Sequence, residues 1–277
     1  MKRFCLAMTL LGLVLILGGS ASSQVPVFDH FLCYHVPNQP VLNIPLRLQD
    51  QFDAPAGVFE NIAQLQIIRF CNPVTKTVNG RTFPIGNINH HLTMYRLNQQ
   101  PIIPRQVVIS NQFGSNVLLH TADAQVLAAP TGKALPPSPP PPPSSDLDHY
   151  KCYAASGPQV NVVAILTDQF ITGLRFLVVH PLYFCNPVEK IRNGVITPIR
   201  FPGNHLTCYA LTSPTVPPRN INILNQFIHP PFLNITVNNP DMLCAPTTKV
   251  SWHMMTLPPE TSSSAGAEAA SAAGNKQ

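Results

Sequence analysis

The sequence predicts an all-β protein: two similar β-sandwich or small-barrel domains, each of two half-repeats, joined by a Pro-rich linker. Three observations lead there. Apolar and polar residues alternate over several short segments, the period of a strand with one buried face. The same ordered motifs occur on both sides of a Pro-rich run. No stretch of useful length carries a helical period, and abundant Pro and Asn disfavour helix interiors.

The chain of 277 residues opens on Lys2 and Arg3, an apolar run from Leu6 to Leu17, then small residues from Gly18 to Ser23. This is the pattern of a secretory signal peptide, assigned to 1–23. The run is too short for a membrane span, and no later stretch is long enough. Without the signal, Lys and Arg fall from 17 to 15 against 12 acids, a scattered net charge of +3. A nucleic-acid binder would carry a basic cluster, so that class is set aside.

Residues 134–147, ALPPSPPPPPSSDL, favour extended polyproline II and are read as a semi-rigid spacer. They separate a first β-domain at 24–133 from a second at 148–257. The Ser/Ala/Gly-rich tail, 258–277, is expected to be disordered.

Each flank divides again. One unit reads His-x-x-Cys-Tyr, an alternating segment ending in Asp/Asn-Gln-Phe, a second apolar segment, then Cys-x-Pro. Unit one holds His30, Cys33, Tyr34, Asp50-Gln51-Phe52 and Cys71-Asn72-Pro73. Unit two holds His91, Met94, Tyr95, Asn111-Gln112-Phe113 and Ala128-Ala129-Pro130. Unit three holds His149, Cys152, Tyr153, Asp168-Gln169-Phe170 and Cys185-Asn186-Pro187. Unit four holds His205, Cys208, Tyr209, Asn225-Gln226-Phe227 and Cys244-Ala245-Pro246.

Within units, Leu42, Ile44, Leu46 and Leu48 alternate with polar residues, as do Val160 to Leu166 and Leu233 to Val237. Pro45 limits its strand to an edge or a bulge. Asn79-Gly80 and Asn193-Gly194 suit tight turns, since both residues accept positive φ.

Cys5 leaves with the signal, and six mature cysteines allow 15 pairings. Unit two has lost both of its cysteines, to Met94 and Ala128. A bond within each unit leaves no orphan thiol after that double loss. The expected bridges are therefore Cys33–Cys71, Cys152–Cys185 and Cys208–Cys244.

The ordered set DH(F/Y)xCY, DQF, CNPVxK, HLxCY, NQF and LCxPTxK resembles a domain of unknown function found in secreted bacterial proteins, often in tandem. The resemblance covers about 29–133 and 148–249. It implies a bacterial exported protein, and brings no activity, cofactor or catalytic residue. Met94 and Ala128 depart from its pattern.

Chemistry is sparse. His30, His91, His149 and His205 lie three residues before Cys or Met94, but i and i+3 on a strand face opposite ways, and oxidised Cys is no metal ligand. A histidine bonding a neighbouring turn is the better reading. Asp50 and Asp168 give way to Asn111 and Asn225 in the same slot, which a general base or metal carboxylate would not survive. An Asx turn over a buried Phe tolerates both. Calcium through Asp50 and Asp53 is weakened by Thr172 near the second position in copy two. No nucleophile elbow or zinc-protease helix occurs. Asn234-Ile235-Thr236 is a glycosylation sequon, relevant to a eukaryotic secretory route.

The expectation is an exported, disulfide-stabilised, non-enzymatic binding or structural protein, extracellular or in the cell envelope or periplasm. Its partner would be an unknown extracellular protein or polysaccharide; no cofactor, metal or nucleic acid is implied. A polysaccharide-binding or carbohydrate-active accessory protein, with Trp252 as its single Trp, and a secreted hydrolase are the alternatives.

Overall fold

A computed structural model describes residues 28–255 except Ser213 and His229. The expected signal segment, Cys5 and the 258–277 tail lie outside these residues. The described chain is all-β, with one 3₁₀ turn at Ala54–Ala56. Unit one supplies β1 (His30–His35), β2 (Val41–Asp50), β3 (Glu60–Val78) and β4 (Arg81–Phe83). Unit two supplies β5 (Leu92–Leu97), β6 (Arg105–Asn111), β7 (Gly114–Pro130) and β8 (Gly132–Ala134). Unit three gives β9 (Tyr150–Ser156), β10 (Val162–Thr167), β11 (Leu174–Arg192) and β12 (Val195–Thr197). Unit four gives β13 (His205–Thr212), β14 (Arg219–Leu224), β15 (Leu233–Val237) and β16 (Pro240–Met254).

The local signals act as their chemistry requires. Asn79 and Gly80 take φ of 48° and 75°, and Asn193 and Gly194 take 50° and 77°, turning β3 into β4 and β11 into β12. Pro45 falls inside the register shift between Asn43 and Leu46 where β2 pairs β3. Ile44, Leu46 and Leu48 turn inward and are buried.

Eight strands, two per unit, form a closed antiparallel circuit: β1, β3, β5, β7, β9, β11, β13, β16 and back to β1. Eight is the size at which side chains just fill a barrel. The filling is one ring of equivalent positions. Cys33, Cys71, Met94, Ala128, Cys152, Cys185, Cys208 and Cys244 share one buried cluster, with Phe31, Leu92, Tyr150, Leu206 and Met242 beside them. Disulfides join Cys33–Cys71, Cys152–Cys185 and Cys208–Cys244, each between directly paired residues. Met94 faces Ala128 in the same register. A long side chain opposite a short one thus fills the space of the fourth bridge.

The alternate residues, such as Leu32 and Tyr34, belong to a second cluster outside the ring. It is covered by flaps. Register shifts at Ile67/Arg69, Thr121 to Val126, and Val178 to Tyr183 interrupt the barrel ladders of β3, β7 and β11. Bulges of this kind bend a strand. Beyond them β3 pairs β2, β7 pairs β6 and β11 pairs β10, while in unit four β14 pairs β15. Each flap strand also pairs with the unit two places away: β2 with β11, β10 with β3, β6 with β16 and β14 with β8.

This arrangement corrects the expected division at residue 134. The two copies share one hydrogen-bonded sheet and do not form two separate domains. The barrel needs all four units to close its edges, and each flap finds its second neighbour only in the other copy.

The Pro-rich segment is a docked strap rather than a free spacer. Pro140 and Leu147 are buried, and Leu147 joins the barrel interior. A Cβ on Gly132 would sit 1.7 Å from the Pro141 carbonyl oxygen, so only glycine allows this close approach. Asn222 Nδ2 donates to Ser138 O at 2.9 Å, and Arg200 donates to Ser145 O. Pro composition sets the extended form of the strap, but its surroundings come from the fold.

Candidate functional site

The residues that recur in all four units are the natural place to look for chemistry, and the fold uses them as latches between units. Every Asp/Asn-Gln-Phe motif forms the expected Asx turn. Phe52 N donates to Asp50 Oδ1 at 2.8 Å, Phe113 N to Asn111 at 2.9 Å, Phe170 N to Asp168 at 2.8 Å and Phe227 N to Asn225 at 3.0 Å. The second side-chain atom reaches two units away. Tyr153 OH donates to Asp50 Oδ2 at 3.0 Å, and Tyr34 OH to Asp168 Oδ2 at 2.9 Å. Asn111 Nδ2 donates to Tyr209 OH at 2.7 Å, and Asn225 shares hydrogen bonds with Tyr95 OH.

The neighbours change with the charge. Each Asp takes another donor: Asn186 Nδ2 to Asp50 at 3.0 Å, and Asn72 Nδ2 to Asp168 at 2.9 Å. In units two and four Ala129 and Ala245 stand where Asn72 and Asn186 do, and Thr131 and Thr247 replace Val74 and Val188. Their hydroxyls accept from Asn225 at 3.0 Å and Asn111 at 3.2 Å. A carboxylate needs donors and an amide also needs an acceptor, so the two latch types are each internally satisfied.

A second set of contacts links each unit to the next. Lys76, Lys133, Lys190 and Lys249 place Nζ over Phe113, Phe170, Phe227 and Phe52, at 4.6, 5.0, 5.8 and 4.9 Å from the ring centroids. Lys190 also donates to Gln226 at 2.5 Å, Lys249 to Gln51, and Lys133 to Asn72 at 3.3 Å. Lys76 Nζ and the Gln112 amide nitrogen are buried without partners among the described residues. Burial lowers Lys76 to about 7 and the other three to about 8.

The recurring histidines sit beside these lysines, on the face away from the cysteines. His30 Nε2 bonds Gln112 at 2.6 Å, and His149 accepts from Gln226. His91 and His205 pack on Phe70 and Phe184 with ring centroids 5.6 and 5.7 Å apart. Two of the four thus bond a turn, as expected, but in the next unit rather than their own. Burial, reinforced by the adjacent lysine, lowers His30, His149 and His205 to about 3 and His91 to about 2. They are neutral packing groups near pH 7.

One polar cluster departs from the repeat. Lys151 Nζ is fully buried beside Asp53, with Glu60 at 3.1 Å and Asp50 at 3.7 Å. Burial and the nearby Asp50 raise Asp53 to about 6 despite the lysine. Burial pulls the Lys151 ammonium down, but the three carboxylates outweigh it and raise it above the usual lysine range. In the pseudo-symmetric position Leu32 replaces Lys151 and Ile171 replaces Asp53. The same flap contact is ionic on one side of the barrel and apolar on the other. Asp50 and Asp53 do come together, yet an ammonium takes the place of the considered calcium ion. No His/Cys/Asp/Glu group suited to a metal occurs among the described residues. Glu60 was not foreseen; its signal was the unmatched charge of Lys151 in a slot that is Leu32 in unit one.

Trp252 is half-buried against Phe52, ring centroids 4.8 Å apart, and so is no open sugar platform. Asn234 of the sequon is exposed in β15, its side chain donating to Asn222 Oδ1 at 2.7 Å. His90 Nδ1 lies 2.7 Å from Asp29 and Nε2 3.0 Å from Asp146, so the strap is tied to unit one. Burial opposes its charge, but the two carboxylates win and raise His90. No helix of the described residues is long and apolar enough to cross a membrane.

No curated protein and no solved structure matches the chain. A family described as Repeat of unknown function (DUF7450) matches residues 102–244, from just before β6 in the first copy to Cys244 in the second. This is more than half of the sequence, and the chain belongs to that family.

Proposed function

We propose that this DUF7450 member is an exported, non-enzymatic binding or structural module, working in the periplasm, the cell envelope or outside the cell. One observation carries the reading: the recurring Tyr, Asp/Asn, Phe and Lys side chains are spent on buried contacts between units. What varies from unit to unit is the set of flap ends and hairpins at the surface. Three disulfides inside the barrel fit an oxidising compartment. A barrel stapled in this way holds its loops rigid, and rigid loops bind at lower entropic cost.

The exposed large hydrophobic side chains favour a protein or peptide over a sugar as ligand. Among the described residues they are Val, Ile, Leu and Met, with Phe201 the one aromatic. Sugar sites rely on aromatic faces, so the polysaccharide reading ranks second. The test is the full chain, purified with its disulfides, on a glycan array and on ester, peptide and glycoside panels. Absence of turnover with saturable binding to an exported protein is expected. Turnover abolished by a single side-chain substitution would overturn the non-enzymatic reading. Selective glycan binding would replace the ligand class.

A further inference from the structure

The two ends of the barrel differ. Past Phe31, Tyr150 and Leu206 the interior is closed by Leu147 of the strap and by Phe28, whose ring lies 6.1 and 6.0 Å from those of Phe31 and Tyr150. At the other end the ladders break at one equivalent place in every unit. The register shifts leave Ile68, Gln125, Leu182 and Asp241 as the extra residues, each three places before Cys71, Ala128, Cys185 or Cys244. The next residues, Arg69, Val126, Tyr183 and Met242, pair Met94, Cys152, Cys208 and Cys33 of the following unit. They form the layer of the barrel after the ring. Bulges re-aim side chains, and they gather at barrel rims.

The backbone of this rim is four-fold, but its charge is not. Arg69 donates from Nε and Nη2 to Asp241 at 2.8 Å each, a bidentate pair. Beside that pair a cleft of about 400 Å³ is lined by Arg69, Arg96, Asp123, Gln125 and Tyr183. Small-molecule sites span about 300–1,000 Å³, and barrel mouths are among their usual places. Arg96 is exposed and Asp123 half-buried. Asp123 meets the Gln125 amide at 3.3 and 3.4 Å, and neither Arg96 nor Asp123 has an ion-pair partner among the described residues. Both belong to unit two. In the slot of Arg96 the other units carry His35, Ala154 and Ala210, and in that of Asp123 they carry Gln66, His180 and Asn239. Residues on which the fold depends recur in all four units, as the latches do, whereas this pair occurs once.

We propose that this cleft binds a small zwitterion, a free amino acid or a di- or tripeptide, with its carboxylate on Arg96 and its ammonium on Asp123. The guanidinium fork suits a planar carboxylate. A lone anion would also meet the carboxylates of Asp123 and Asp241, and a lone cation would meet both arginines. A ligand carrying both charges satisfies the unpaired group of each sign. The site goes beyond the ligand reading above, which places a partner on the flap ends and hairpins, and each stands without the other.

Calorimetric titration of the full chain, disulfides intact, is the test, with the free amino acids one by one and a panel of di- and tripeptides. At least one should bind saturably, one per chain, with a dissociation constant below about 1 mM. Whether an amino acid or a peptide binds names the source, and either supports the site. Amidating the carboxylate of the binder, acetylating its amine, Arg96→Gln and Asp123→Asn should each weaken binding at least about tenfold, the worth of a charged hydrogen bond. Neither substitution touches the ring or the latches, and an unchanged disulfide map and circular dichroism show that the variants fold. A panel without a binder overturns the proposal. So does binding that survives the blocked ends, or that survives both substitutions.

Discussion

Replacing Met94 and Ala128 by cysteine should add the fourth bridge that the ring of barrel positions leaves out. The two residues pair directly across β5 and β7, as the cysteines of the other units do across theirs. Both are fully buried in the same interior cluster. The new loop matches the existing separations of 38, 33 and 36 residues. Chain entropy assigns such a loop about 3–4 kcal/mol. Against this stands the lost Met94 packing, about 1–2 kcal/mol for the removed methylene and methyl groups, partly offset by the sulfur added at Ala128. The net gain should be about 2 kcal/mol. Guanidinium unfolding of the double variant measures it, with Met94→Cys alone reporting the packing loss. A non-reducing peptide map checks that four bridges form. Four correct bridges with no gain, or a scrambled map, would refute the equivalence of the four units.

Other outcomes follow from the latches and the buried charges. Tyr153→Phe, which strips a donor from the buried Asp50 carboxylate, should cost about 2–3 kcal/mol; Tyr209→Phe, opposite the neutral Asn111, should cost about 1 kcal/mol, and unfolding curves compare them. Lys151→Leu alone leaves Asp50, Asp53 and Glu60 without their cation and should cost about 3–5 kcal/mol, whereas adding Asp53→Ile, after the apolar counterpart, should recover part of it. Lys76→Met should change stability at pH 7 by less than about 1 kcal/mol, since the lost contact with the Phe83 and Phe113 rings is offset by removing a buried amine with no hydrogen-bond partner. Acid should destabilise the protein steeply. The four buried histidines have folded values far below the unfolded 6.5, so their contribution is intact above that pH and is lost as pH falls toward about 3. Across that window the unfolded chain takes up protons that the buried imidazoles refuse, so each histidine lowers stability as pH falls. Asp53, raised to about 6, returns roughly one proton's worth between pH 6 and 4. A melting temperature unchanged from pH 7 to 4.5 would contradict this.

Strands, Asn-Gly turns, Asx turns and bridges were legible because each rests on residues close in sequence or on comparison between units. The exchange of flaps between copies was not. Asp50 and Asp168 sit in identical motifs, as do Tyr34 and Tyr153, so the sequence permits either pairing. Only the asymmetric residues break the tie: Lys151 with Asp53 and Glu60 on one side, Leu32 with Ile171 on the other. The strap misled for a related reason. Its prolines fix an extended backbone, but the carbonyls of Ser138 and Ser145 that dock it carry no side-chain signature. The turns that His30 and His149 bond were hidden for the same reason, since Gln112 and Gln226 lie a unit away.

The interlock of the two copies is the claim on which the rest depends, and a double-mutant cycle on Tyr153 and Asp50 tests it most directly. Tyr153→Phe and Asp50→Asn, singly and together, should give a coupling energy of about 1–3 kcal/mol. The cycle on Tyr153 and Asp168, which lie in the same copy, should give about zero. Coupling within the copy and none across copies would show two self-contained domains and contradict the closed four-unit barrel.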